Sequence, residues 1–215
     1  VAKDKSMAGF VLRTFRPSDP APLMRLFKTL VIPILAYGSV IWSQYKKCEI
    51  NKIEAVQRTF TSKLDGMEDL DYHQRLQKLQ IYSLERRRAR YDALYSIKVL
   101  KKLVPNIGLQ FKWSDRRGRQ LVPPPVAKNS SAHSKTLRNH SYRSRASRIF
   151  NSLPAEIRNA PVETNMLRIK TMLDKHLKHI RDEPQLPGYT TIGISNTVFE
   201  QKWIEDSPFR MDRAD

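Results

Sequence analysis

Cysteine and glycine are scarce in this sequence, and none of its apolar runs is long. The single cysteine, Cys48, excludes an internal disulfide framework and a cysteine-rich zinc site. The seven glycines form no glycine-rich loop of the kind that holds phosphates. The longest apolar run, residues 30–42, falls short of the roughly 18 residues that cross a bilayer, and Pro33 and Gly38 interrupt it. Because no secretory signal is present either, we expect an intracellular protein.

Residues that would form a catalytic or metal centre are missing as well. The sequence contains no Asp-Asp pair. His176 and His179 lie three residues apart on a predicted helix, but no cysteine joins them and Asp174 is not well placed as a third ligand. Cys48 has no matched His and Asn pattern that would make it a nucleophile. We therefore predict no catalytic residue, no metal site and no cofactor in this chain.

Positive charge, in contrast, is abundant and unevenly distributed. The formal net charge is +18 and the pI is near 10.2, which suits a nucleic acid or an anionic membrane surface as partner. Half of that net charge lies between Lys112 and Arg148, where ten basic residues accompany one acid, Asp115. Aromatic rings such as Trp113 and Tyr142 are interleaved with these cations. The combination suits a polyanion with stackable bases; the alternative is a solvated loop between helical regions.

Charge and composition divide the chain into three parts. Residues 1–103 and residues 104–183 each carry a net charge of +10, whereas residues 184–215 carry −2 and are rich in turn-forming residues. We predict a helical module, a basic region and a mobile tail, in that order. The chain opens on Val1 inside a predicted helix, so we expect a piece of a longer protein.

Local signals place helices throughout the first part. Asp19 before Pro20 predicts a helix start, Pro33 predicts an interruption, and Asp71 with Gln74 forms a capping-box pattern. Ser83 is expected to cap a helix that runs through Leu103. The apolar residues at helical spacing predict a core that contains Leu26, Leu30, Ile34, Ile53, Val56, Phe60, Leu76 and Leu94.

The second part has weaker signals. Gly118 and the prolines 123–125 argue against helix, so we expect at best short strands at residues 120–122 and 126–127. Helix is predicted to resume in a short turn near Pro154–Arg158. A last amphipathic helix, capped by Thr164, follows it.

Ten short blocks occur in a fixed order along roughly residues 7–180. They are Arg13-Thr-Phe15, Leu26-Phe-Lys-Thr-Leu-Val-Ile-Pro33, Ala36-Tyr-Gly-Ser-Val-Ile-Trp42-Ser43, Ile53-Glu-Ala-Val-Gln-Arg-Thr-Phe60, Tyr72-His-Gln-Arg-Leu76 with Leu79, Leu84-Glu-Arg-Arg-Arg88, Arg117-Gly118-Arg119, Phe150-Asn-Ser-Leu-Pro154, Ala160-Pro161 and Leu173-Asp-Lys-His176. In this order they resemble the region beyond the palm in non-LTR (LINE) retrotransposon reverse transcriptases, particularly those of jockey-like and related clades.

The resemblance implies a mainly α fold, in which a thumb-like helical bundle over 1–103 is followed by a basic, loop-rich, nucleic-acid-binding post-thumb region over 104–183 with minor β structure. The family's palm holds metal-binding aspartates in a Tyr/Phe-x-Asp-Asp turn, which this sequence lacks. The parent polymerase would use Mg²⁺, and its palm and fingers would be partners of this chain. A nuclear location with a cytoplasmic ribonucleoprotein stage is also implied.

In such a thumb, arginines of one helix would hold phosphates of the primer–template duplex, and the matching positions are Arg86, Arg87, Arg88 and Arg90. The alternative is a solvated helix face or a nuclear-localisation-like patch. In the post-thumb region the phosphate contacts are predicted at Arg116, Arg117, Arg119, Lys135, Arg138, Arg143, Arg145 and Arg148. Trp113 and Tyr142 are predicted to stack on unpaired bases, and core packing is the alternative for Trp113.

The sequence thus predicts the nucleic-acid-binding C-terminal fragment of a LINE-type RNA-directed DNA polymerase. It would grip primer–template and element RNA but would not polymerise alone. The alternatives are a freestanding or domesticated basic scaffold that binds RNA nonspecifically, and an inactive retrotransposon remnant.

Overall fold

The computed structural model describes residues 2–15, 19–44, 46–105, 109–114, 120–127 and 129–178. Over these residues the fold is mainly helical with one small antiparallel sheet, as predicted. The chain forms two compact units, one of residues 1–88 and one that begins at Ala89. The division predicted from charge at residues 103 and 104 stays a prediction, and the predicted tail lies outside the described residues. Within the described ranges, no helix is long and apolar enough to cross a membrane.

The first unit consists of α1 (Ala2–Thr14), α2 (Pro20–Leu26), α3 (Ile32–Ala36), α4 (Ser39–Trp42), α5 (Lys47–Thr61) and α6 (Tyr72–Lys78). A longer helix, α7 (Leu84–Leu100), begins in the first unit and continues in the second. The second unit adds β1 (Lys112–Trp113), β2 (Leu121–Val122), α8 (Ala132–Asn139), α9 (Tyr142–Ser152), α10 (Ala155–Arg158) and α11 (Met166–Lys178).

Three predicted helix starts are confirmed by their side-chain hydrogen bonds. The Asp19 carboxylate accepts from the backbone N–H of Ala21 at 2.9 Å, with Pro20 at the first helical position. Asp71 and Gln74 form the reciprocal capping box at the start of α6, with distances of 2.8 and 3.0 Å. Ser83 Oγ accepts from the backbone N–H of Arg86 at 3.0 Å at the start of α7.

The interruption predicted at Pro33 takes the form of a widened turn. Residues Phe27–Val31 are π-helical, and the N–H of Ile32 bonds to the carbonyl of Phe27, five residues back. Pro33 then lies in the first turn of α3, where its missing N–H is tolerated. The π turn therefore lets the chain pass from α2 to α3 without a break.

The core of the first unit is built from α1, α2, the π turn, α5 and α6, and two rings stack at its centre. Phe27 and Phe60 lie with their ring centroids 4.3 Å apart, and both side chains are fully buried. Of the predicted core residues, Ile53, Val56, Phe60 and Leu76 are buried in this cluster. The prediction for Leu30 is wrong: its side chain is 37% exposed, because the π turn shifts the buried face to Phe27 and Val31.

A buried carboxylate, Glu54, ties α5 to α6 and α7. It accepts hydrogen bonds from the Tyr72 hydroxyl and from the backbone N–H of Leu84 at 3.0 Å, at the N-terminus of α7. Gln57, one turn farther along α5, donates to the carbonyl of Tyr82 at 3.0 Å. Burial raises the pKa of Tyr72 far above its usual value, and the Glu54 carboxylate adds to that rise.

The second unit has its own core, which contains residues of α7, β2, α9, α10 and α11. Leu121, Leu153, Ile169, Leu173 and Leu177 are fully buried there. Leu94, predicted in one core with the residues of α5, belongs to this second cluster instead. The predicted strand at residues 120–122 is found as β2, which pairs antiparallel with β1. No strand forms at Val126 and Ala127.

The region predicted to be free of helix before Pro154 contains two helices, α8 and α9. In α9 the residues Ala146, Ile149 and Phe150 recur at helical spacing and are buried. Three serines and three arginines in the same helix hide that pattern in the sequence. The last helix also differs by one residue from the prediction, because Asn165 rather than Thr164 accepts a backbone hydrogen bond, from Leu167 at 2.9 Å.

Candidate nucleic-acid interface

Three of the four arginines predicted on α7 lie in the first unit, and two of these are buried. The side chain of Arg86 is buried with its guanidinium 5.4 Å from the centre of the Tyr82 ring, and that of Arg88 is buried as well. Arg87 lies between them and is half-buried. Of the three arginines at residues 86–88, two are therefore buried within the protein, and none is fully exposed.

Arg90, the fourth of these arginines, forms a two-pronged ion pair within the second unit. Its Nε and Nη2 donate to the two carboxylate oxygens of Asp174 on α11, at 2.5 and 2.9 Å. The pair is partly buried and joins α7 to α11. Such bidentate pairs are among the stronger charged hydrogen bonds, so a phosphate would have to displace Asp174 to reach Arg90.

Arg145 on α9 is held in the interior of the second unit in the same way. Its Nε donates to Asp92 of α7 at 3.1 Å, and only 5% and 3% of the two side chains are exposed. Its Nη1 donates to the backbone carbonyl of His140 at 2.7 Å. Arg145 therefore connects α7, α9 and the turn between α8 and α9, and the geometry favours a structural role for it.

Tyr142, one of the two predicted stacking residues, packs against other aromatic side chains. Its ring makes edge contacts with Tyr95 and Phe111, at centroid distances of 5.6 and 6.4 Å. Its hydroxyl donates to the carbonyl of Asp92 at 3.4 Å, and burial followed by the nearby Asp92 charge raises its pKa. Because both its ring and its hydroxyl contact other residues of the second unit, the geometry favours a packing role for Tyr142 over base stacking.

Trp113, the other predicted stacking residue, lies at the surface of β1. One edge of the indole contacts the Phe150 ring at a centroid distance of 5.8 Å, and 42% of the residue is exposed. The structure therefore combines the two alternatives for Trp113, since part of the ring packs on the core and part faces solvent. An aromatic face supported from behind is a suitable platform for a base.

The turn between α8 and α9 contains a half-buried histidine, His140, among positive charges. Partial burial and, after it, the charges of Arg148 and Arg145 lower the pKa of His140 to about 4. Arg148 donates from Nη1 to the carbonyl of Asn139 at 3.0 Å, so it closes the same turn. His140 is therefore neutral at neutral pH and contributes no charge to a polyanion site.

Among the described cations of residues 112–148, those that remain at or near the surface are Lys112 on β1, Lys135 and Arg138 on α8, and Arg143 on α9. Lys112 and Arg138 are exposed, and Lys135 and Arg143 are half-buried. Arg138 also donates to the carbonyl of Pro125 at 3.1 Å, which orients its guanidinium. Among the described residues, none of these four cations has a carboxylate within ion-pair distance. We name these four residues the cationic face of the second unit.

Three predicted phosphate contacts, Arg116, Arg117 and Arg119, lie outside the described residues. Within the described ranges, no group of three His, Cys, Asp or Glu residues is placed to hold a metal ion. His176 is half-buried on α11, and His179 is outside the described ranges.

The acids that hold Arg90 and Arg145 were not predicted from the sequence. Asp92 and Asp174 lie 53 and 84 residues from their partners along the chain. A signal was present for Asp92, because it lies on α7 next to Ala93 and four residues before Ser96, both fully buried. An acid between small buried residues of a helix indicates a buried carboxylate, and a buried carboxylate needs a cation.

Comparison with known protein families, with curated proteins and with solved structures gives no match to this chain.

Proposed function

We propose that this chain is the nucleic-acid-binding thumb and post-thumb part of a LINE-type reverse transcriptase, which holds primer–template and element RNA without catalysing polymerisation. The parentage is supported by the ordered sequence blocks between residues 7 and 180, and the missing catalysis by the absence of an Asp-Asp pair. The mainly helical structure is compatible with the thumb and post-thumb region that the resemblance implies.

The observation that supports nucleic-acid binding best is the cationic face of the second unit. Lys112, Lys135, Arg138 and Arg143 keep their charges at or near the surface without a described acid partner. No acidic residue occurs between Arg116 and Ala155, the part of the sequence that contains Lys135, Arg138 and Arg143. Trp113 exposes part of its ring on the same strand as Lys112. Unneutralised cations and a partly exposed ring in the same unit suit a backbone phosphate and an unpaired base.

This proposal replaces part of the predicted contact set. Arg86, Arg88, Arg90, Arg145 and Arg148 are buried or hydrogen-bonded to the protein itself, so we assign them to the fold. The phosphate contacts are then expected from the cationic face, together with Arg116, Arg117 and Arg119. If about five to seven phosphates are neutralised, the logarithm of the binding constant should fall with the logarithm of salt at a slope of roughly −3.5 to −6.

The test is a comparison of two triple variants with the same change in net charge. In one, Lys135, Arg138 and Arg143 are replaced by glutamine; in the other, the exposed lysines Lys52, Lys63 and Lys175 are replaced. Fluorescence anisotropy with a labelled RNA is measured over a salt series. The first variant should flatten the slope by about two to three units and the control by much less. Equal slopes in the two variants would refute the cationic face as the contact surface.

Two further measurements address the parentage and the lack of catalysis. Primer extension on a primed RNA template with Mg²⁺ or Mn²⁺ should give no product above background, and a lengthened product would refute the proposal. A reading frame that encodes a palm domain directly upstream would favour the polymerase parentage over a freestanding RNA-binding scaffold.

A further inference from the structure

One corner of the first unit, residues Tyr37–Trp42, presents unusually exposed apolar side chains. Tyr37 and Ile41 are each 84% exposed, more than any other large apolar residue among those described, and Trp42 is 38% exposed. We name these three residues the aromatic corner. Apolar side chains exposed to water are unfavourable because they restrict the water around them, and a cluster of them commonly marks a binding surface.

The corner is fixed by the backbone beneath it. Gly38 has a φ of +65°, a left-handed conformation that favours glycine, and a Cβ at this position would lie 3.1 Å from the indole Nε1 of Trp42. The indole N–H donates to the carbonyl of Tyr37 at 2.5 Å, and the N–H of Ile41 donates to the carbonyl of Gly38 at 2.8 Å. Trp42 thus packs on Gly38 and locks the turn, while Tyr37 and Ile41 stay in solvent.

The part of the chain that contains this corner is rich in exposed bases. Among the described residues 2–46, the exposed charged side chains are one acid, Asp19, and six bases, Lys3, Lys5, Arg13, Arg25, Lys28 and Lys46. Lys46 follows Trp42 by four residues and therefore lies within about 14 Å of it along the chain. Lys28 precedes Tyr37 by nine residues of mostly helical chain, which is also about 14 Å. One exposed base therefore precedes the corner along the chain and another follows it.

We propose that the aromatic corner binds unpaired nucleotides, with Tyr37 stacking on a base while Lys28 and Lys46 attract the adjacent phosphates. The inference rests on the proposed function for the class of ligand, but it adds a second contact, on the first unit, to the cationic face of the second. Stacking on an exposed ring requires a base that is not paired within a duplex, so the corner should distinguish single strands from duplexes.

Charge favours this ligand over the other possible occupants. A polyanion complements the exposed bases that precede and follow the corner, and each nucleotide supplies both a phosphate and a flat ring. A membrane-binding helix presents a long apolar face, whereas α3 and α4 have only five and four residues. A protein partner, such as a polymerase palm or a second copy of this chain, is an alternative outcome of the test below.

The experiment measures the affinity of the full chain for a short unstructured CA-repeat RNA and for a hybrid duplex of the same length. Tyr37→Ala should weaken binding of the single strand by about fivefold or more, the loss expected for one stacked base. Tyr37→Phe should bind as the native chain does, because it keeps the ring. Leu167→Ala removes a comparably exposed apolar side chain from the second unit and should change nothing. The salt dependence of Tyr37→Ala should match that of the native chain.

Other results would overturn the inference. If Tyr37→Ala binds the single strand as tightly as Leu167→Ala does, the corner is not a nucleotide site, whereas the cationic face could still pass its own test. An equal loss on the single strand and on the duplex would exclude stacking on an unpaired base. If the native chain binds neither ligand, both proposals fail. If Tyr37→Ala loses affinity only for anionic vesicles, or changes only the sedimentation of the protein, the corner contacts a membrane or a protein instead.

Discussion

Replacing Arg145 with glutamine separates a structural arginine from a nucleic-acid contact, because its neighbour Arg143 serves as a matched control on the same helix. Arg145 is 5% exposed and donates to Asp92, which is 3% exposed, at 3.1 Å. Arg143 is half-buried and has no described ion pair. The two positions lie two residues apart on α9, so they point to different sides of it. Both substitutions remove one positive charge.

The expected losses of stability differ widely between Arg145→Gln and Arg143→Gln. Removing one partner of a buried ion pair typically costs about 3–5 kcal/mol, because the remaining charge stays buried without compensation. Arg145→Gln also removes the hydrogen bond to the carbonyl of His140, at 2.7 Å, which places the cost toward the upper part of that range. For a unit of roughly a hundred residues, this lowers Tm by about 10 °C or more. Arg143→Gln should change the stability by less than about 0.5 kcal/mol.

The assay combines thermal unfolding with hydrogen exchange of the α7 and α9 amides, and RNA binding is measured at a temperature where both variants are folded. Arg145→Gln should destabilise the second unit and leave the salt slope of binding unchanged. Arg143→Gln should keep the stability and flatten the slope by about 0.7–0.9, the contribution of one phosphate. If the two variants unfold at the same temperature, or if Arg145→Gln flattens the slope while Arg143→Gln does not, the structural assignment of Arg145 is refuted.

Three further predictions concern the two cores and the turn before α9. Leu64→Ala should cost about 2–5 kcal/mol because Leu64 is fully buried, whereas Leu30→Ala should cost less than about 1; equal shifts of the urea midpoint would contradict the burial that we describe. The ammonium group of Lys101 donates hydrogen bonds to the carbonyls of Pro161, Val162 and Thr164. Lys101→Met should therefore lower the free energy of unfolding by about 1–3 kcal/mol, whereas Lys102→Met, at an exposed position, should change it little. Because the pKa of His140 is about 4 in the folded protein and 6.5 as its ordinary value, the unfolded chain binds more protons between these pH values, and His140 should lower stability as pH falls from 6.5 towards 4. His140→Gln should lose less stability over that window than the native chain does, and an identical pH dependence of the two urea midpoints would argue against a neutral His140 in the folded protein.

Local signals in the sequence determined where several helices begin. The caps at Asp19, Asp71 with Gln74, and Ser83 were predicted correctly because each involves hydrogen bonds between residues no more than three positions apart. The mainly helical fold was also predictable, because apolar residues recur at helical spacing along α5 and α6. The helix α9 was missed, since three apolar residues among arginines and serines do not form a recognisable stripe.

The sequence also determined how much positive charge the protein carries, but only the tertiary structure decided where that charge lies. Arg143 and Arg145 are equivalent in a list of basic residues, yet one keeps its charge near the surface and the other is buried against Asp92. The same holds for Arg90, whose partner Asp174 lies 84 residues away along the chain. A buried charge is stable only with an opposite charge beside it, and which acid comes to lie there depends on how distant helices pack.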